Sequence, residues 1–250
     1  MDVVINDVNT ARISGGKNNP MSIEMPEMTD LTGVTEKTPI FVSAGRIVDQ
    51  KGLDIFGEGI KEFYKGYKGT ENPVFYVQGI GDPKYKEQFL NIKREVAQTN
   101  PEAAKRIVFA NLFSEKGRYD GAKLISDFSV IPSWFEPCGL VHKEIAANSG
   151  AIPIVNKTGG LLDGLHDGVN AIAAEFSPYR HDIGKNGKSF GDAIAKAVEI
   201  HADDNKFRKM MGSMMEQDFS WAKPNGPIYE YADLFASMKV LSKDVATHTA

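Results

Sequence analysis

The chain has 250 residues, 42% hydrophobic and 25% charged, which is enough apolar material for one large or two small globular cores. Its formal net charge of −4 gives no basic balance of the kind that holds nucleic acid or an anionic membrane, so any phosphate group must be met by local charges and backbone N–H groups. A single cysteine, Cys138, rules out an internal disulfide framework, and no apolar run reaches the ~18 residues that cross a bilayer. The N-terminus lacks the basic-then-apolar order of a signal peptide, so a cytoplasmic protein is the expectation.

Residues 1–37 are rich in Asn, Asp, Thr, Gly and Pro, without a sustained period, and read as a linker or N-terminal arm. From residue 38 the pattern changes. Ile40–Ser43 is a short β-rich apolar run. After a loop, Leu53, Ile55, Phe56, Ile60, Phe63 and Tyr64 recur at helical spacing. Val74–Val77 predicts a second strand and Lys84–Gln98 a helix. Ile107–Phe109 is a third strand, and a short helix is predicted to close at Lys123–Ile125. Phe128–Ile131 is a fourth strand, Leu140–Asn148 a helix, and Ile152–Val155 a fifth strand. Ala171–Phe176 is read as a short sixth strand, with helices over 188–201, 203–216 and 228–240. Strand, loop and helix in repeated alternation predict an α/β protein with a Rossmann-like parallel sheet flanked by helices over 38–250. Such sheets bind ligands at the carboxyl ends of their strands.

The chemistry-bearing motifs all follow strands. Arg46 and Lys51 lie in the first strand-to-helix loop. A guanidinium fork and a mobile ammonium suit a diphosphate, although a loop with two solvated charges would look the same. Gly79-Ile80-Gly81-Asp82-Pro83 permits close backbone approach and by itself reads as a turn. Glu136, in Ser133-Trp134-Phe135-Glu136-Pro137-Cys138-Gly139-Leu140, sits just past a strand, with Glu144 on the following helix. Those carboxylates can accept from sugar and ribose hydroxyls, and Glu144 taken alone is an ordinary solvated residue. Thr158-Gly159-Gly160 offers unencumbered N–H groups at an expected helix start. Cys138 is not read as a nucleophile, because no histidine base pattern accompanies it. The five histidines show no metal-ligand spacing, so no cofactor and no metal are expected.

Gly45-Arg46-Ile47-Val48-Asp49-Gln50-Lys51-Gly52-Leu53-Asp54, Gly79-x-Gly-Asp-Pro, Glu136-Pro-Cys-Gly-Leu, Thr158-Gly-Gly and Asp218-Phe-Ser-Trp221 together resemble the C-terminal donor-binding half of a bacterial glycogen or starch synthase. That family is a retaining glycosyltransferase of the two-Rossmann-domain, GT-B type. The resemblance runs from about Ile40 to about Phe235. Ser114–Lys123 and 178–188 align poorly, and Trp134 stands where an arginine is usual. The resemblance implies a sugar nucleotide as donor and ADP-glucose transfer to an α-1,4-glucan. Arg46, Lys51 and Glu136 would be the catalytic residues. Gly79, Gly81, Asp82, Phe109, Cys138, Gly139, Leu140, Glu144, Thr158, Gly159 and Gly160 would line the donor site, with Phe109 as the face on which the base stacks. It also implies a final helix crossing toward a second, N-terminal domain that binds the acceptor and for which this chain has no room, so that the fragment alone would be inactive. Glu144 departs from the synthase pattern. It keeps open a GDP-mannose- or UDP-sugar-dependent transferase acting on a protein or lipid, beside a non-catalytic nucleotide-binding module.

Overall fold

A computed structural model describes residues 22–24, 28–111 and 125–248. Seven strands form one sheet: β1 (Ser22–Glu24), β2 (Ile40–Ala44), β3 (Val74–Gly79), β4 (Ile107–Asn111), β5 (Phe128–Ile131), β6 (Ile152–Asn156) and β7 (Ile172–Ala174). Their order is β1-β4-β3-β2-β5-β6-β7. Six are parallel, and only β1 runs antiparallel, against β4. The chain builds outward from β2 to β3 and β4, then returns to lay β5 on the other flank of β2. The direction of winding therefore reverses between β2 and β5, the place where such sheets open a ligand crevice.

Every residue of β3, β5 and β6 is buried, as expected of parallel strands covered on both faces. On one face Phe41 lies between Phe75 and Phe128, with ring centroids 4.9 and 4.8 Å away. This aromatic row is covered by α1 (Leu53–Gly66), α2 (Pro83–Thr99), α5 (Ile183–Ala202) and α6 (Asp204–Met215), through Phe56, Phe63, Phe89, Phe190 and Phe207. The opposite face buries Val42, Val74, Tyr76 and Val108 with Leu31. The short α3 (Pro101–Lys105) precedes β4, and α4 (Leu140–Asn148) joins β5 to β6.

Helix starts follow local chemistry. Asp82 accepts from the Lys84 amide at 3.0 Å and Pro83 opens α2, while Asn100 accepts from Ala103 at 3.0 Å ahead of Pro101 and α3. Gly52 precedes α1 at φ 62°, and a Cβ there would strike the Pro132 carbonyl, so the β2 loop and the β5 loop are in backbone contact.

Three details differ from the sequence reading. Within the stretch read as an arm, Ser22–Glu24 pairs with β4, and Lys93, fully buried, donates to Thr29 Oγ1 at 2.8 Å and to the Ile107 carbonyl at 2.7 Å. Residues 1–21 and 25–27 lie outside the described residues, as does the helix predicted to close at 123–125, apart from Ile125. The strand expected over 171–176 is only Ile172–Ala174, because the Glu175 and Ser177 amides donate to Ser189 Oγ and Asn186 Oδ1 instead of a neighbouring strand. For α5 the start is Ile183, five residues before the predicted one; Gly184 and Gly187 dilute the helical signal there.

The chain divides into two compact units, 1–215 and 216–250. In the second, Asp218 Oδ1 accepts from Ser220, and Trp221 stacks on Tyr231 of α7 (Pro227–His248) with centroids 5.7 Å apart. Among the described residues no helix is long and apolar enough to cross a membrane.

Candidate active site

The carboxyl ends of β3, β2, β5 and β6 stand side by side, and each delivers one of the motifs. The β2 loop continues the ladder past its strand: Gly45 donates to Gln78 at 3.0 Å, Ile47 to Ile80 at 3.0 Å, and Asp82 back to Ile47 at 2.9 Å. A Cβ on Gly79 would collide with the Gly45 carbonyl, and one on Gly81 with the Ile47 carbonyl. These two glycines thus serve the approach of one loop to another, and Asp82 serves as a helix cap. Their effect on the site is to fix the loop that carries Arg46. Arg46 itself is exposed and has no ion-pair partner among the described residues.

Lys51 ends a 3₁₀ turn, Asp49–Lys51, and its ammonium pairs with Glu136 Oε1. The same oxygen accepts from Ser133 Oγ at 2.8 Å, and the Glu136 side chain is only 8% exposed. Asn156 at the end of β6 donates to the Ser133 carbonyl at 3.0 Å, which ties the turn to its neighbouring strand. A largely buried carboxylate and a positive side chain are held together at the point where the winding reverses.

Thr158-Gly159-Gly160 packs on the other side of the same turn. Thr158 Oγ1 donates to the Trp134 carbonyl at 3.1 Å and the Gly160 amide to the Glu136 carbonyl at 2.7 Å. Gly159 has φ 49°, and a Cβ on it would meet the Glu136 carbonyl. The helix expected after Thr158 is a single 3₁₀ turn, Gly159–Leu161, so the charge it offers is that of local amides and not of a macrodipole.

The remaining sequence candidates divide. Gly139 has φ 67° and is buried, while Cys138 and Leu140 are exposed beside it. Lys143 donates to Cys138 Sγ at 3.3 Å. His142 is fully buried, and that burial, with the positive Lys143 beside it, lowers its pKa to about 4. It is a neutral imidazole at neutral pH and adds no cation to the site. Glu144 is exposed on α4. Phe109 is a correction: it is 2% exposed, with its ring against Phe89 at 5.8 Å, so it belongs to the core beneath α2 and offers no face to a base.

A buttress absent from the sequence reading surrounds Lys51. Asp49 accepts from Tyr85 Oη at 2.6 Å and from Arg180 Nη1 at 2.7 Å. The tyrosine hydroxyl, then Arg180, hold the Asp49 carboxyl below its ordinary value. Arg180 also lies 5.2 Å over the Trp134 ring, and the Trp134 amide donates to Gln50 at 2.9 Å. Trp134 thus works as a platform in the turn that carries Glu136.

No protein-family model matches the chain. Over 248 residues it is 30% identical to the glycogen synthase of Hydrogenobaculum sp. (strain Y04AAS1), an alignment that takes in 94% of this chain and 45% of that protein. The glycogen synthase of Thermodesulfovibrio yellowstonii is 29% identical over 214 residues, 85% of this chain and 38% of that one. In fold it matches the C-terminal domain of a glycosyl transferase group 1 family protein from Francisella tularensis, with TM-score 0.55, 20% identity, and coverage of 72% of this chain and 86% of that one. The chain is a glycogen-synthase-like GT-B domain. It spans less than half the length of the curated relatives it matches.

In this GT-B domain the pocket lined by Ala44, Gly45, Arg46, Lys51, Pro132 and Ser133 encloses about 30 Å³. Small-molecule sites usually enclose roughly 300 Å³ or more. The strand ends therefore form an open surface, too shallow to enclose a small molecule by themselves.

Proposed function

We propose that this domain binds the donor of a retaining glycosyltransferase most like glycogen synthase, which transfers glucose from ADP-glucose to an α-1,4-glucan. The observation that carries the reading is the meeting of Lys51, Glu136 and the Thr158–Gly160 turn at neighbouring strand ends, with Arg46 on the loop above them. Arg46 and Lys51 would hold the diphosphate and balance the charge that grows on it as the glycosidic bond breaks. Loss of one such preorganised group typically costs ~10²–10³ in kcat. The Thr158 and Gly159 amides would add to that balance, Glu136 would accept from sugar hydroxyls, and Glu144 from the ribose. With two cations in this role the reaction needs no metal. The acceptor would be bound by a second, N-terminal domain that closes the open wall, in a cytoplasmic enzyme, and this fragment alone would transfer nothing.

Glu144, eight residues beyond Glu136, favours a second reading in which the chemistry stays and the donor is a GDP- or UDP-sugar. Calorimetric titration with ADP, GDP and UDP in EDTA separates the two. Preference for ADP, with binding weakened in both Arg46→Ala and Lys51→Ala, supports the glucan synthase. GDP or UDP preference supports the other donor class. Affinity unchanged by both substitutions overturns the assignment of the diphosphate site.

A further inference from the structure

The stretch between β7 and α5 reaches back to the two loops that carry Lys51 and Glu136. It is pinned by α5, where the fully buried Asn186 accepts from the Ser177 amide at 2.7 Å, and it bends so that the Asp182 amide donates to the Tyr179 carbonyl at 3.1 Å. Arg180 lies in that bend. Its Nη1 is 2.7 Å from Asp49 Oδ2, and its guanidinium carbon is 5.2 Å from the centre of the Trp134 ring. Phe176, on the same stretch, meets the Trp134 ring edge to face at 5.3 Å. One guanidinium thus grips both loops: Asp49 opens the 3₁₀ turn that ends in Lys51, and Trp134 stands two residues before Glu136.

A planar guanidinium can pair with a carboxylate and lie over an indole face at the same time, which an ammonium does less well. The Asp49–Arg180 pair is well exposed, at 64% and 50%, and exposed pairs contribute little to global stability. Its hydrogen bond goes to neither Lys51 nor Glu136, yet each of its two contacts is on a loop that delivers one of them. We propose that Arg180 is a positioning residue. By tying Asp49 to Trp134 it fixes the Lys51 ammonium against the Glu136 carboxylate, and so readies Lys51 for a phosphate oxygen. The consequence for nucleotide rests on the donor reading above; the clamp between the loops does not.

Two measurements test this. The first needs no nucleotide. The coupling between Lys51 and Glu136, from urea unfolding of Lys51→Ala, Glu136→Gln and the double variant, should fall by about half when the cycle is repeated with Arg180→Ala. The second is calorimetric titration with ADP. Arg180→Ala should weaken ADP about fivefold in the original chain and have no further effect in Lys51→Ala, because a positioning residue acts only through the group it positions. Arg180→Lys should recover part of the loss, since it keeps the charge and forfeits the fork and the stack. Asp49→Asn supplies a test of sign. It removes a negative charge, which by long-range attraction alone would tighten ADP, yet it breaks the clamp and should weaken ADP severalfold. Unchanged coupling, a full further loss of ADP affinity on top of Lys51→Ala, or tighter ADP in Asp49→Asn would overturn the proposal. If the original chain binds no ADP, the donor reading fails, and the coupling alone decides whether Arg180 is a clamp.

Discussion

Lys51 and Glu136 stand 85 residues apart in the chain and form one ion pair across the ends of two adjacent parallel strands. The carboxylate is the more buried partner, at 8% exposure against 24% for the lysine. The lysine proposed for the diphosphate is thus paired with the carboxylate proposed for the sugar. On that proposal, donor binding would divide this pair between the two ends of the ligand.

That arrangement makes the two substitutions differ in sign. Lys51→Ala removes the cation and leaves Glu136 with Ser133 as its side-chain partner, so it should weaken ADP about tenfold and lower stability by about 2–3 kcal/mol. Glu136→Gln releases Lys51 and should tighten ADP severalfold. Titration calorimetry and urea unfolding of both variants check this, and the double variant should recover part of the stability lost in Lys51→Ala. Equal weakening of ADP by both would show that the pair acts as a unit in nucleotide binding.

Arg46 should behave differently, because it is exposed and takes no part in an ion pair among the described residues. Arg46→Ala should leave the unfolding free energy from urea titration within about 0.5 kcal/mol of the original while weakening ADP about tenfold. Arg46→Lys should restore only part of the affinity, because an ammonium lacks the two-pronged geometry for a phosphate. Full recovery in Arg46→Lys would mean that only the charge matters at this position.

The glycines of the site divide by what a methyl group would meet. Gly81→Ala drives a Cβ into the Ile47 carbonyl, and Gly159→Ala drives one into the Glu136 carbonyl from φ 49°. Each should cost at least ~2 kcal/mol, since backbone and not a movable side chain must yield. Gly184→Ala meets nothing within 4 Å, lies in the first turn of α5, and should be neutral or stabilise by about 0.5–1 kcal/mol. Thermal unfolding of the three variants gives the order.

These contrasts show what the sequence could and could not carry. The nearness of Arg46, Glu136 and Thr158 was legible because each follows a short apolar run, and a parallel sheet places such positions along one edge. Phe109 was misassigned because the strand that holds it is apolar on both faces, so alternation gives no sign of which way a residue points. The two functions of Gly79 and Gly81, turn residue or ligand floor, look the same in sequence; only the position of the β2 loop separates them. The Asp49–Arg180 contact spans 131 residues and joins two loops without a period, so nothing local announced it. Ser22–Glu24 is too short to show an alternation of its own, and its pairing depends on the edge that β4 presents.

His142 gives the domain a pH dependence whose sign can be worked out. Its folded pKa is about 4, below the ordinary 6.5, because burial disfavours the charged ring. As pH falls below 6.5 the unfolded chain takes up this proton first, so the stability that neutral His142 allows is complete above that value and is lost as pH falls toward 4. Between pH 7 and pH 4.5 the loss from this residue should be about 2 kcal/mol. Carboxylates titrate in the same range, so the informative quantity is a difference: His142→Gln should lose about 2 kcal/mol less than the original chain over that interval. Urea unfolding at both pH values measures it. Parallel losses in the two proteins would mean that the imbalance in proton uptake lies elsewhere, and that the imidazole beneath the Glu136 turn is hydrated enough to titrate normally.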